Sequence, residues 1–428
     1  MINSQKLVQV MESHADDAKK NNGLDDHRAT LYGIRQMHRE VTESLGIQRD
    51  QFGRASIKPN SIHPTEYDIV EIAEAIGEQL GFRNFGRSLL DRNQGLQFHG
   101  MTALEAGPGI DPTAFQAINL WTSTVAGLVE AQVIQKFQNP EFIGDRLVQT
   151  VPTKLNGQKF IGVTGIGNKA QTRNPGEPHP RAGFGAHTVK TPELIEKSLA
   201  VEVTQEADFY DLSGQVLETA AGVGDELSYL KELTQIDLVL GITNPYVYND
   251  VGYNTYQDTS PWINKQTNEF ADYKDIGDAK ALFSRMTDPV TGKKILVNPN
   301  QIICHTDREM DFAAALTATE VRNTTNTNTV TISGNPLKTK YEIYSSPILD
   351  SRLEDADGLN LSTNAKKNWL LGKFNEAFMW MEAWPVRVSP TAANEYVMRD
   401  RGLIAAFFAN YRATGAVREP RKVSRQTH

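Results

Sequence analysis

Two places in this chain bring together residue types that could do chemistry: Gly162, Gly165 and Gly167 before Lys169 in IGVTGIGNKA, and Cys304, His305 and Asp307 in CHTD. A phosphate-cradling loop needs four residues between its first glycine and a Gly-Lys-Ser/Thr, with a helix opening directly afterwards, because backbone N–H groups and the helix N-terminus hold the anion together. Here Gly167 is followed by Asn168, and no helical pattern begins after Lys169, so the spacing fails. Cys304 and His305 are adjacent, and neighbours on a strand point to opposite faces; a buried thiol beside a surface imidazole is expected instead of a metal or nucleophile pair. His179 and His187 stand in a Gly- and Pro-rich stretch with no third ligand nearby and are expected to be solvated. No Gly-x-Ser-x-Gly, His-Glu-x-x-His or Cys-x-x-Cys pattern occurs. The expectation is a chain with no catalytic residue, no cofactor and no metal.

At 428 residues the chain can bury a large core or several smaller ones. Its 44 basic and 52 acidic residues give a net charge of -8, which argues against a protein whose main task is coating nucleic acid, while leaving room for local basic patches. The single cysteine, Cys304, excludes an intrachain disulfide and any multi-thiolate metal site. No apolar run is long enough to span a bilayer, and MINSQKLVQVMESHADDAKK lacks the basic start and apolar middle of a secretory leader, so neither secretion by that route nor membrane insertion is expected. Asn323-Thr324-Thr325 fits a glycosylation acceptor only by chance in that context.

The element that would position everything else is DLSGQVLETAAGVGDELSYLKELTQIDLVLG. Val216, Ala220, Val223, Leu227 and Leu230 recur in steps of four and three, which puts them on one helical face. Asp211 or Ser213 as cap and Gly241 with Pro245 as stop predict a helix over 214–240, roughly 40 Å long. Gly222 and Gly224 lie mid-helix, where each costs about 1 kcal/mol against alanine, so a bend or flex point is expected there. Between Ala207 and Thr243 there are seven acids and one base, Lys231. Just upstream, Lys154–Lys190 reads as two strand-like flanks around a Gly-, Pro- and Asn-rich tip, with six bases (Lys154, Lys159, Lys169, Arg173, Arg181, Lys190) against Glu177. An isolated hairpin is marginal in water, so a long basic one is expected to rest on another surface, and the acidic helix of a neighbouring copy has the opposite sign. Leu199, Val201 and Val203 alternate with polar residues and predict a half-buried strand leading into the helix.

Elsewhere, residues 1–46 read as a charged helical segment with an apolar seam at Leu24, Leu31, Ile34, Val41 and Leu45, and TEYDIVEIAEAIGEQLGF as a second helical run. Gly107, Pro108 and Gly109 mark a boundary, after which PTAFQAINLWTSTVAGLVEAQVIQKF is a helix with Asp111 as cap. Tyr246, Tyr248, Tyr253, Tyr256, Trp262, Phe270 and Tyr273 lie among acids, which removes a phosphate groove and favours aromatic packing against a neighbour. KKILVNPNQIICHTDREMDFAAALTATEVR reads as strand, turn and helix with Asp307 as cap; NTTNTNTVTISGNPL as an exposed hairpin; and KYEIYSSPIL as a further strand. The end of the chain is basic, with Arg412, Arg418, Arg421, Lys422 and Arg425 against Glu419, a sign that permits contact with DNA or with acidic neighbours.

The loop GEPHPRAGFGAHTVKTPELIEKSLAVEVTQEADFYD before the long helix, VLGITNPYVYNDVGYNTYQDTSPW after it, and NWLLGKFNEAFMWMEAWPVRV with RDRGLIAAFFANYRATGAVREPRKV at the end resemble the tailed-phage major capsid proteins of the Hong Kong 97-type fold, over roughly residues 107–425. The resemblance implies an α+β fold with an N-terminal helical arm (1–106), a helix leading into the peripheral domain (107–153), an extension loop (154–205), a peripheral domain with a spine helix (206–292), an axial α/β domain (293–365), a peripheral return (366–412) ending in closing strands and a helix, and a last strand with a basic tail (413–428). It implies no enzyme but a major head protein that self-assembles into pentamers and hexamers of an icosahedral shell, the virion capsid, built in the host cytoplasm around double-stranded DNA. Non-specific contact with that DNA is implied, and scaffold, portal and cement proteins are possible partners, with no membrane. The intersubunit contact candidates are Lys159, Lys169, Arg173, Arg181 and Lys190 on the loop and Asp225, Glu226, Glu232 and Asp237 on the helix, with Gly222 and Gly224 as the flex point. Some relatives join a loop lysine to a neighbour's asparagine, for which Lys169 is the candidate. The same residues leave two alternatives: an encapsulin-like nanocompartment shell of the same fold, and a soluble α/β enzyme with a mobile Gly-rich loop.

Overall fold

The computed structural model describes residues 4–80, 112–138, 140–154, 156–157, 159–161, 188–204, 213–243, 246–248, 250–287, 292–326, 329–335, 337, 340–392 and 403–428. In chain order the helices are α1 (Ser4–Asn22), α2 (Asp26–Ser44), α3 (Ile69–Gln79), α4 (Pro112–Phe137), α5 (Ser213–Leu240), α6 (Tyr273–Arg285), α7 (Glu309–Thr317) and α8 (Pro347–Glu354), beside shorter helical turns. The strands are β1 (Ile47–Arg49), β2 (Ala55–Ile57), β3 (Gln149–Pro152), β4 (Lys159–Ile161), β5 (Thr188–Lys190), β6 (Ile195–Thr204), β7 (Tyr246–Tyr248), β8 (Val251–Tyr253) and β9 (Lys265–Thr267). They continue with β10 (Gln301–Cys304), β11 (Glu320–Asn326), β12 (Thr329–Gly334), β13 (Glu342–Tyr344), β14 (Trp369–Gly372), β15 (Phe378–Ala392), β16 (Leu403–Val417) and β17 (Val423–Thr427). The class is mixed α+β, as expected. The chain forms two compact units, one of residues 1–139, 196–229 and 384–412, the other of residues 140–195, 230–383 and 413–428.

In the first unit the N-terminal segment is two helices, where the sequence suggested one. The chain turns at Gly23, whose φ of +62° suits glycine, and Asp25 caps α2 by accepting from Arg28 N at 3.1 Å. The apolar seam is used within the hairpin: Leu24 packs on Ala15, Ala18 and Ala29, and Ile34, Val41 and Leu45 are buried. A Cβ on Gly33 would lie 2.4 Å from Met11 O, so the two helices approach through glycine. In α3 the buried Ile69, Ile72, Ala73 and Ile76 repeat at helical spacing, and Trp121 of α4 donates to Ile69 O at 3.2 Å. The expected boundary at Gly107–Gly109 and the Asp111 cap lie outside the described residues.

The long helix runs from Ser213 to Leu240 and ends at Gly241 with φ +72°, one residue from the expected start and at the expected stop. Its two interior glycines differ. A Cβ at Gly224 would sit 2.6 Å from Val133 O of α4, so this glycine admits the neighbouring helix, whereas nothing stands within 4 Å of a Cβ at Gly222. The helix continues unbroken through both, so Gly224 answers to packing first, a reason invisible in the periodicity.

The second unit holds a five-stranded sheet in the order β13-β10-β14-β17-β9, with β10 parallel to β13, β14 antiparallel to β10 and β17, and β17 parallel to β9. Every residue of QIIC and WLLG is buried, so the apolar residues from Ile302 to Cys304 and from Trp369 to Leu371 run on without the alternation of a half-exposed strand. Ile302, Cys304, Trp369 and Leu371 meet Phe270, Ile276, Ala279 and Phe283 from the α6 side and Phe312 and Leu316 from α7. The strand, turn and helix expected over this stretch are present, but His305 caps the turn: its Nδ1 accepts from Asp307 N at 3.1 Å, and α7 opens at Glu309. The Asn/Thr-rich stretch is the β11–β12 hairpin.

Two expectations fail here. The aromatics after the long helix pack within the chain: Trp262 meets Tyr246 at 5.4 Å and Tyr253 at 5.3 Å between ring centroids, Tyr256 donates to Val239 O at 2.6 Å, and Phe270 is in the core. The closing helix is absent among the described residues, and AAFFANYRATGAV lies in β16. Phe407, Ala409, Tyr411 and Ala413 are buried at every second position, a period of two that overrides the helix-forming alanines.

Candidate intersubunit surfaces

The base of the basic loop is built into a sheet of order β4-β5-β7-β8, in which Lys159 pairs with Lys190 and Val189 with Tyr248. Leu194 N donates to Asn156 Oδ1 at 2.9 Å and Gly157 N to Pro192 O at 3.3 Å, so the two flanks are fastened to each other. Lys190 is exposed. Lys169, Arg173, Arg181, His179, His187 and the glycine run lie outside the described residues. In β6 the alternation is partial: Val201 is buried, but Leu199 is exposed.

On the long helix Glu218, Gly222, Asp225, Glu226 and Tyr229 are all exposed. Positions 218, 222, 225 and 229 share one face, and none of the three carboxylates has an ion-pair partner among the described residues.

Glu232 and Asp237 correct the expectation, because both are committed inside their own unit. Glu232 is 2% exposed and accepts from Ile143 N at 3.0 Å and Gly144 N at 2.9 Å, at the start of a single helical turn, Gly144–Leu147. Burial raises its pKa from the ordinary 4.5, opposed by the two backbone hydrogen bonds. Asp237 forms a two-pronged pair with Arg352, Nε to Oδ1 at 2.6 Å and Nη2 to Oδ2 at 3.1 Å. The one base of the helix, Lys231, is taken by Asp145 at 2.7 Å.

The position of Glu232 yields a prediction. A carboxyl whose folded pKa is raised contributes stability that is full below its unfolded value of 4.5 and is lost as pH rises through the folded value. Glu232→Gln removes that slope and places an amide against two donors, so a loss of about 1–3 kcal/mol is expected at low pH, narrowing toward neutrality. Urea midpoints of both proteins between about pH 4 and about pH 7 read the convergence directly.

The basic tail is likewise not free. Arg421, 4% exposed, pairs with Glu419 through Nε at 2.5 Å and Nη2 at 2.6 Å, and Lys422 reaches Glu376 at 2.5 Å. Arg425 is largely buried in β17, and desolvation lowers its pKa. Of the five bases only Arg418 is fully exposed. The tail's sign is thus partly cancelled inside its own unit, at Arg421 and Lys422.

The chemical cluster resolves in two halves. Cys304 is buried, as expected, and its thiol is pushed up to about 12, chiefly by burial. His305 is buried too, not on the surface, and lies 3.2 Å from Glu354 and 3.8 Å from Asp350. Among the described residues no group of three or more His, Cys, Asp or Glu could hold a metal ion. A cleft of 680 Å³ between the segment before α6 and helix α7 is lined by Glu269, Asp272, Arg308, Asp311 and Glu320, but Glu269 is paired with Lys367 and His428, and Asp311 with Arg308. Arg352, which the sequence reading did not single out, has its partner 115 positions away, where local pattern gives no signal.

No curated protein matches the sequence. Among solved structures, a virus-like particle from Pyrococcus furiosus is 11% identical, with 70% of this chain and 97% of that one covered and a TM-score of 0.35. A structure from Mycobacterium phage Ogopogo is 13% identical, covers 68% and 93%, and has a TM-score of 0.37; the capsid of a native GTA particle is 10% identical, covers 68% and 90%, and has a TM-score of 0.38. These likenesses are too low to carry weight. The family model described as phage capsid protein matches residues 189–425, more than half of the sequence and all of it downstream of the loop tip. The chain belongs to the phage capsid protein family.

Proposed function

We propose that this chain is the major capsid protein of a tailed, double-stranded DNA bacteriophage, with a Hong Kong 97-type subunit that closes into pentamers and hexamers of an icosahedral shell. The family match over residues 189–425 carries the reading. It displaces the alternative of a soluble enzyme, since the family's work is structural. In this reading residues 154–205 are the extension loop, 206–292 and 366–412 the peripheral domain, and 293–365 the axial domain. The loop's bases, Lys159, Lys169, Arg173, Arg181 and Lys190, rest on Asp225 and Glu226 of a second copy, whose exposure leaves them available. Each contact is weak alone and is multiplied by closure of the shell. The packaged DNA touches the shell non-specifically, and assembly takes place in the host cytoplasm, with scaffold, portal and cement proteins as possible further partners.

Deleting residues 158–188 tests this. The truncated chain is expected to stay folded, since the β5–β7 pairing retains Val189 and Lys190, yet to form no particles by negative-stain microscopy. Normal particles from the deleted chain, or uniform small particles from the intact one, would overturn the reading.

A further inference from the structure

Trp384 on β15 has two guanidinium groups over its ring: Arg387 Cζ is 4.6 Å from the centroid, and Arg412 Cζ, from β16, is 5.3 Å away. Both distances are in the range where the face of an indole attracts a cation. Arg387 is also fixed across the strands, its Nε donating to Asn410 Oδ1 at 3.1 Å. Neither arginine meets a carboxylate among the described residues, whereas Arg352, Arg421 and Arg49 each do. The Nε of Arg412 is sealed from solvent without an acceptor. Among the described residues these two like charges, held at one indole, have no counter-ion, in a chain whose acids outnumber its bases by 52 to 44. A planar guanidinium fork is suited to an oxyanion arriving from outside.

We propose that Trp384, Arg387 and Arg412 form a clamp for a carboxylate of a second copy of this chain, with Glu218 on the exposed face of α5 as its occupant. The complementarity is one of charge: Glu218 is exposed and has no ion-pair partner among the described residues. Beside it Gly222 leaves the helix face flat, since nothing lies within 4 Å of where its side chain would be. Every copy carries both the clamp, on β15 and β16, and the acid, on α5, so each copy can give and receive the contact, as a head-to-tail ring requires. The partner rests on the shell reading above, but no residue of the loop takes part.

Charge reversal reads the contact. Arg387→Glu with Arg412→Glu is expected to lower particle yield by about tenfold at physiological salt, Glu218→Arg alone to lower it similarly, and the three together to restore most of it. If reversal unfolds the subunit, judged by near-ultraviolet circular dichroism, the neutral set Arg387→Gln, Arg412→Gln and Glu218→Gln serves. Combining all three should then cost no more than the arginine pair alone. Unchanged yield with the arginines reversed would overturn the clamp. So would a loss that Glu218→Arg fails to restore, or normal shells that lose only their nucleic acid, which would assign the arginines to phosphate. Wild-type shells in the same assay are the control, and their absence would fault the shell reading instead.

Discussion

Trp369→Ala is expected to destabilise the second unit by about 3–5 kcal/mol, a large share of what holds any such unit folded. The side chain is 1% exposed and stands 5.4 Å from Phe312 and 6.2 Å from Phe270, rings that themselves stack at 3.7 Å. Its removal opens a void that three elements line and that none can fill without moving. It also strands Asn268 O, which accepts from Trp369 Nε1 at 2.9 Å. Because Trp369 pairs with Cys304 on one side and Gln426 on the other, the loss falls at the middle of the sheet. Equilibrium denaturation of unassembled subunits measures it; a shift under about 1 kcal/mol would mean that the site collapses and the packing argument is wrong.

Arg421→Ala should be of comparable size, about 3–5 kcal/mol, because it leaves the buried carboxylate of Glu419 without its partner. The pair itself is a different matter. Taking two ions out of water offsets most of their attraction, so replacing both by apolar residues of similar volume, Glu419→Leu with Arg421→Met, should come out within about 1 kcal/mol of the native protein or above it. The contrast between the single and double variants, in the same denaturation series, separates a pair that stabilises from one that merely must not be broken. A single variant as stable as the native protein would show that Glu419 finds water or another cation there.

Much of the architecture was legible because some segments carry their own instructions. The apolar steps and the terminal Gly241 bounded α5 to within a residue, and the strand, turn and helix around QIIC are where the pattern put them. What failed to show depended on distant partners. Glu232 and Asp237 look like ordinary acids of a solvated helix until Ile143, Gly144 and Arg352 fold against them, and no period in the sequence links positions that far apart. Asp225 and Glu226, alike in type, stay exposed, and no such partner reaches them among the described residues. The tail hides its partners in a similar way: a cluster of bases advertises its sign, while Glu419 and Glu376 cancel part of it only after folding. In β16 a period of two was present and was outweighed by composition.

The placement of β9 at the rim of the five-stranded sheet bears on how the subunit comes to exist at all. Its sheet neighbour is β17, joined in register from Arg425 and Lys265 to Thr427 and Thr267, about 160 positions later along the chain. Loop closure over that span must precede any reward, so the step is non-local and slow, and although Lys265 N is held locally by Gln257 O, the strand gains its sheet partner only when β17 docks. Refolding should therefore show a late phase in which the rest of the sheet is already protected from hydrogen exchange while this rim is still open.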